Sequence, residues 1–251
     1  MIRIQNVTKR YGSKVVVDRV SLDIEKGKIT SLIGANGAGK STLLAMMSRL
    51  LGKDEGQIFV EGKEIGAYDS NELAKKLSIL KQSNHLNIRL TVKDLVSFGR
   101  FPYAKGRLTQ EDRDHVHQAI AYLELEDVAH KYLDQLSGGQ RQRAFIAMVL
   151  AQDTDYILLD EPLNNLDMKH SAQIMKILRR LVDELGKTMV IVLHDINFAS
   201  FYSDTIVAMK DGRIVKEGQT DAMMDSRVLE HVYEMNIPIQ MVNGRRLAVY
   251  F

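Results

Sequence analysis

The chain of 251 residues contains no cysteine, which excludes disulfides and thiolate metal sites and fits a reducing compartment. Neither sign of charge is in surplus. Thirty-four Lys and Arg stand against 32 Asp and Glu, and the net charge of +2 gives no broad nucleic-acid surface. The basic groups Arg141-Gln142-Arg143 and Arg179-Arg180 are local and read as solvated helix faces. No apolar run approaches the roughly 20 residues that cross a bilayer; the longest covers only 144–151, so any membrane role must come through a partner. The first five residues, Met1 to Gln5, alternate like a strand and lack the basic flank and apolar core of an export signal. Internal repeats, low-complexity tracts and long linkers are missing too.

What is present is an alternation of strand and helix patterns, which predicts one α/β domain over 1–251. Residues 1–26 alternate as antiparallel β around a turn near Gly12, with Ile2, Ile4, Val20, Leu22 and Ile24 on one face. Further strands are expected at 29–33, 57–60, 77–80, 156–159 and 189–193, several of them apolar throughout, as buried parallel strands are. From about 84 to 136 the strand pattern gives way to helix. Thr91-x-x-Asp94 and Thr109-x-x-Asp112 resemble capping boxes there, and Val116, Ile120 and Leu123 form a stripe. Hairpins are expected around Lys210-Asp211-Gly212 and Asn243-Gly244. His115 and His117, two apart on a helix, diverge and cannot chelate one metal together.

Two glycine-rich loops carry the chemistry. Gly34, Ala35, Asn36, Gly37, Ala38, Gly39, Lys40 and Ser41 follow a strand pattern and precede a helical one, the setting of a P-loop. Its glycines let consecutive N–H groups point at phosphate oxygens, and the helix adds its positive end. Lys40 is placed to neutralise the β- and γ-phosphates, Ser41 to give a hydroxyl to Mg²⁺, and Thr42 to bond the α-phosphate. Mg²⁺ held by phosphates takes few carboxylates. Asp160, ending the strand at 156–159, supplies one, and Glu161 beside it is placed to polarise an attacking water. The second loop, Leu136-Ser137-Gly138-Gly139-Gln140, opens a different helix with Ser137 as N-cap.

With both loops and the strand-Asp-Glu motif in this order, the chain resembles the nucleotide-binding subunit of an ABC transporter over nearly its whole length. The resemblance implies a P-loop NTPase (RecA-like) core, an amino-terminal antiparallel β subdomain and the inserted helical subdomain. It implies that Tyr11 stacks on adenine, that Gln82 senses Mg²⁺ and faces a membrane subunit, and that His194 contacts the γ-phosphate and orders the catalytic water. Ser137, Gly138, Gly139 and Gln140 would complete a partner's site, and Asp167 would cross the dimer interface. ATP and Mg²⁺ would be the cofactors. The implied partners are a second copy or a similar subunit, integral-membrane permease subunits and a substrate-binding protein, with no nucleic acid. The implied location is the cytoplasmic face of the cell membrane, as a peripheral subunit.

Phe98-Gly99-Arg100-Phe101-Pro102-Tyr103 and the 141–154 stretch are similar to importers of iron–siderophore complexes, haem and cobalamin. An iron–siderophore cargo is the first expectation, with the other chelates as alternatives. A soluble ABC-type ATPase acting on nucleic acid or ribosomes is an alternative of a different class, but such proteins often carry coiled coils, tandem halves or basic arms that this chain lacks. A lone P-loop kinase would leave the second glycine loop idle. Two departures from the family pattern are Lys81 before Gln82, where proline is frequent, and Leu163-Asn164-Asn165 before the interface aspartate.

Overall fold

Inward-facing Ile2, Ile4, Val20, Leu22 and Ile24 are all buried, and they set the register of β1 (Ile2–Tyr11) against β2 (Lys14–Ile24). Gly12 closes the turn at φ 58°. The computed structural model describes residues 1–82, 88–104 and 106–250. Chain order continues with β3 (Ile29–Ile33), α1 (Lys40–Met47), β4 (Glu55–Val60), β5 (Lys63–Glu64), α2 (Ser70–Ala74) and β6 (Leu77–Leu80). The strand expected at 57–60 pairs with the amino-terminal hairpin: β4 runs antiparallel to β1, Val60 opposite Ile2, and the sheet order is β2-β1-β4-β5.

The helical stretch contains α3 (Val92–Ser97), α4 (Phe101–Ala104) and α5 (Gln110–Tyr122), and its expected start at 84 lies outside the described residues. Both capping boxes form: Thr91 Oγ1 accepts from Asp94 N at 3.1 Å, and Thr109 Oγ1 from Asp112 N at 3.2 Å. Then come α6 (Gly138–Ala151) and β7 (Tyr156–Asp160). Val96, Val116, Ile120, Ala144 and Phe145 join α3, α5 and α6 in one core. Buried Arg100 pins that joint, donating to Asp112 Oδ1 and to the Ala151 carbonyl, both at 2.9 Å.

The chain then adds α7 (Met168–Leu185), β8 (Thr188–Val192), α8 (Ile196–Tyr202), β9 (Thr205–Lys210) and β10 (Arg213–Gln219). It ends with α9 (Thr220–Met223), α10 (Ser226–Tyr233), β11 (Ile239–Val242) and β12 (Arg245–Ala248). A six-stranded sheet runs β10-β9-β3-β8-β7-β6; β10 pairs antiparallel at one edge and the other five strands are parallel. Every residue of β3 and β8 is buried, because one face packs on α1 and the antiparallel sheet and the other on the helices. The carboxyl ends of β3, β7 and β8 lead directly into Gly34, Glu161 and Leu193-His194, and Gln82 follows β6 by two residues. In an open parallel sheet, that edge is where ligands bind.

Candidate active site

The first glycine loop bends as only glycine allows at two points. Gly34 has φ 141°, and a Cβ there would stand 2.1 Å from the Met209 carbonyl oxygen; Gly39, capping α1 at φ 98°, would place one 2.5 Å from the Val16 carbonyl. Lys40 opens the helix, is 5% exposed, and donates from Nζ to the carbonyls of Gly34 at 2.8 Å and Ala35 at 3.0 Å. Burial pushes its ammonium below the usual value, and the carboxylates of Glu161 and Asp160 oppose that shift. Asn36, Gly37 and Ala38 complete the curve, and Thr42 is half-buried on the first turn of α1.

Ser41 and Asp160 are brought together. Ser41 Oγ donates to Asp160 Oδ1 at 2.8 Å, joining α1 to the end of β7. Burial raises the Asp160 carboxyl above its ordinary value, and the Ser41 bond pulls it back down.

One residue further, Glu161 is turned at φ 50° with a side chain only 9% exposed. Three groups from three segments hold its carboxylate. Gln82 Nε2 donates to Oε2 at 2.5 Å, Asn164 Nδ2 to the same oxygen at 2.5 Å, and His194 Nε2 lies 2.7 Å from Oε1. Gln82 and His194 were expected to meet Mg²⁺ and the γ-phosphate, not the Glu161 carboxylate itself, and Asn164 was given no role. Its amide reaches back because the chain reverses, with Asn164 N bonded to the Glu161 carbonyl at 3.2 Å and Asn165 at φ 61°. A cleft of about 280 Å³ opens beside this carboxylate, lined also by Leu166, Met168, Ser171 and Phe198. A fixed, oriented carboxylate at a cleft suits activation of water.

The second loop forms a separate structure. Ser137 caps α6, its Oγ accepting from Gln140 N at 3.2 Å while Gln140 Oε1 accepts from Ser137 N at 3.1 Å. Gly138 begins the helix, and Gly139 meets α7: a Cβ on it would lie 2.4 Å from His170 Cδ2. His170 is in turn held by Asp167, the N-cap of α7. Asp167 Oδ1 accepts from His170 N at 2.8 Å, and the carboxylate faces His170 Nδ1 at the same distance. These bonds, the backbone one foremost, lower the Asp167 carboxyl below its usual value. So Gly139 and Asp167 share one cluster through a histidine that the sequence reading passed over, although Asp-x-x-His at a helix start was a usable signal.

Among the described residues no hydrogen bond or ion pair joins 137–140 to the first glycine loop at 34–42. Tyr11 also stands apart. Its ring is 53% exposed at the end of β1, while Lys14, opposite it in the hairpin, lines a cleft of about 390 Å³ with Ala35, Asn36 and Gly37.

Residues 17–164 match the sequence model of the ABC transporter family. The petrobactin import ATP-binding protein YclP of Bacillus subtilis is 68% identical over 251 residues, covering 100% of both chains. FatE of Bacillus anthracis, also named a petrobactin import ATP-binding protein, is 53% identical over 250 residues with the same coverage. Among solved structures, the dimeric post-hydrolysis state of the ATP-binding cassette MJ0796, bound to ADP and Pi, superimposes with a TM-score of 0.77. It is 34% identical and covers 88% of this chain and 99% of its own. A glycine-rich loop at the end of β3, a tethered carboxylate at the end of β7 and these likenesses together place the chain in the ABC transporter family, as an ATP-binding subunit that hydrolyses ATP.

Proposed function

We propose that this ATPase is one domain over 1–251 and powers the uptake of an iron–siderophore complex through separate permease subunits, from the cytoplasmic face of the membrane. The observation that carries the hydrolytic part is the carboxylate of Glu161, held by Gln82, Asn164 and His194 one residue from the Ser41–Asp160 pair. Glu161 is the base that orients water, His194 and Gln82 fix it, and Lys40 with the 34–42 backbone holds the phosphates. Tyr11 supplies the exposed ring for adenine.

The residues present fit Mg²⁺. A hydroxyl and a carboxylate oxygen lie 2.8 Å apart at the loop, and no cluster of three acidic or imidazole groups exists among the described residues. That is the donor set of a cation held mainly by phosphate. Ser41 and Asp160, with Gln82 near, would hold it, and it would supply charge neutralisation to the phosphates.

ATP is shared between two chains, the loop of one facing Ser137, Gly138, Gly139 and Gln140 of the other, with Asp167 at the interface. The separation of the two loops within one chain supports this reading, and so does the dimeric form of the MJ0796 cassette. Closure would move the helical stretch at about 84–136, and a substrate-binding protein would deliver the cargo to the permease. The relatives named for petrobactin import make ferric petrobactin the first candidate. Uptake of labelled ferric petrobactin, haem and cobalamin by cells with and without the chain tests the cargo. Loss of the petrobactin signal alone is expected, and no loss of any would remove the cargo assignment.

A further inference from the structure

The first glycine of the phosphate loop is gripped from outside the loop. Gly34 N donates to the phenol oxygen of Tyr233 at 3.2 Å, across 199 residues of chain. On its other side Gly34 abuts the Met209 carbonyl at the end of β9, where a Cβ would be only 2.1 Å away. The next residue of β9 ties the two jaws together. Lys210 Nζ donates to the His231 carbonyl at 2.9 Å and meets the Glu234 carboxylate at 2.7 Å. Leu229 and Val232 are buried, seating α10 in the core, and Glu234 ends that helix at φ 57°. Val232, Tyr233 and Glu234 line the same cleft as Ala35, Asn36 and Gly37.

We infer that Tyr233 is a positioning residue for nucleotide binding: its hydroxyl holds the Gly34 peptide so that the following N–H groups aim at phosphate, and ATP affinity depends on how α10 is seated. The inference rests on the assignment of 34–42 as the ATP loop. Burial pushes the Tyr233 phenol up to about 12, so it stays neutral and protonated at ordinary pH. Removing only its oxygen leaves the amide without a partner, and a loop whose first peptide is loose presents a less ordered nest to the phosphates. The carboxylate cluster at Glu161 is on other strands and is untouched.

The test is Tyr233→Phe, read by ATP binding and steady-state ATPase. The dissociation constant and KM for ATP are expected to rise about fivefold or more, with kcat within twofold and faster amide exchange in the 33–40 segment. A purely packing role would leave KM and exchange alone, because Phe fills the same space. Should Tyr233→Phe melt too early to assay, Leu229→Val loosens the seat of α10 from the core side, outside the cleft, and carries the same expectation. An ATP affinity within twofold of the parent, with unchanged exchange, overturns the inference. Lys40→Ala serves as the control: if it also binds ATP normally, the loop assignment has failed and not the tether.

Discussion

The His170 ring occupies the space that a side chain on Gly139 would need, with Cδ2 only 2.4 Å from where a Cβ would stand. His170 is fixed by Asp167, so the second glycine of α6 and the aspartate that caps α7 are set against each other by one imidazole. The glycine is required there for close approach, at ordinary helical backbone angles.

Gly139→Ala should therefore force His170 off Asp167. Overpacking of this kind costs about 1–3 kcal/mol, read as a lower melting temperature. ATP binding to the 34–42 loop should stay within twofold while ATPase turnover falls about tenfold or more. Comparing binding with turnover on the same preparation checks this.

Asn164→Ala should release one of the three groups on Glu161. Binding of ATP should be unaffected, and kcat should fall about tenfold, a loss typical of a mispositioned proton-transfer group. Steady-state kinetics with a separate binding titration measure it.

Much of the site was legible in the sequence because it is local: the glycine spacing, the hydroxyl after Lys40 and the Asp-Glu pair each state their chemistry within a few residues. Asn164 was visible only as a departure from the family pattern. Its role depends on the backbone reversal between Glu161 and Asn165, which apolar periodicity does not encode. The partner of β4 was hidden for a similar reason, since strand pattern gives a strand and not the neighbour some fifty residues earlier in the chain. Tyr233 gives no local signal at all.

Glu61 gives a pH dependence. Hydrogen bonds from Lys26 at 2.8 Å and Lys76 at 2.5 Å lower its carboxyl to about 2. A carboxyl depressed in the folded state contributes stability above its unfolded value of 4.5, and that contribution is lost as pH falls toward 2. Solvent screening of these partly exposed ion pairs limits it to about 1 kcal/mol. Glu61→Gln should be less stable than the parent by that amount at pH 7, with the gap closing at pH 2, as denaturant titrations at both values would record.

Arg100→Met should be costlier. It leaves Asp112 buried without its partner and the Ala151 carbonyl without its donor. Breaking a buried pair from one side costs about 3–5 kcal/mol, and calorimetry would show it as a large fall in melting temperature.

The most direct test of the shared site uses mixed dimers carrying Lys40→Ala and Ser137→Arg. With the two changes on opposite chains, one site keeps an intact first loop and an intact second glycine loop, so ATPase activity should survive at about half or less of the parent, still well above background. With both changes on one chain, each site is damaged and activity should vanish. The reverse ranking, or no difference between the two dimers, would contradict a nucleotide held between Lys40 of one chain and Ser137 of the other.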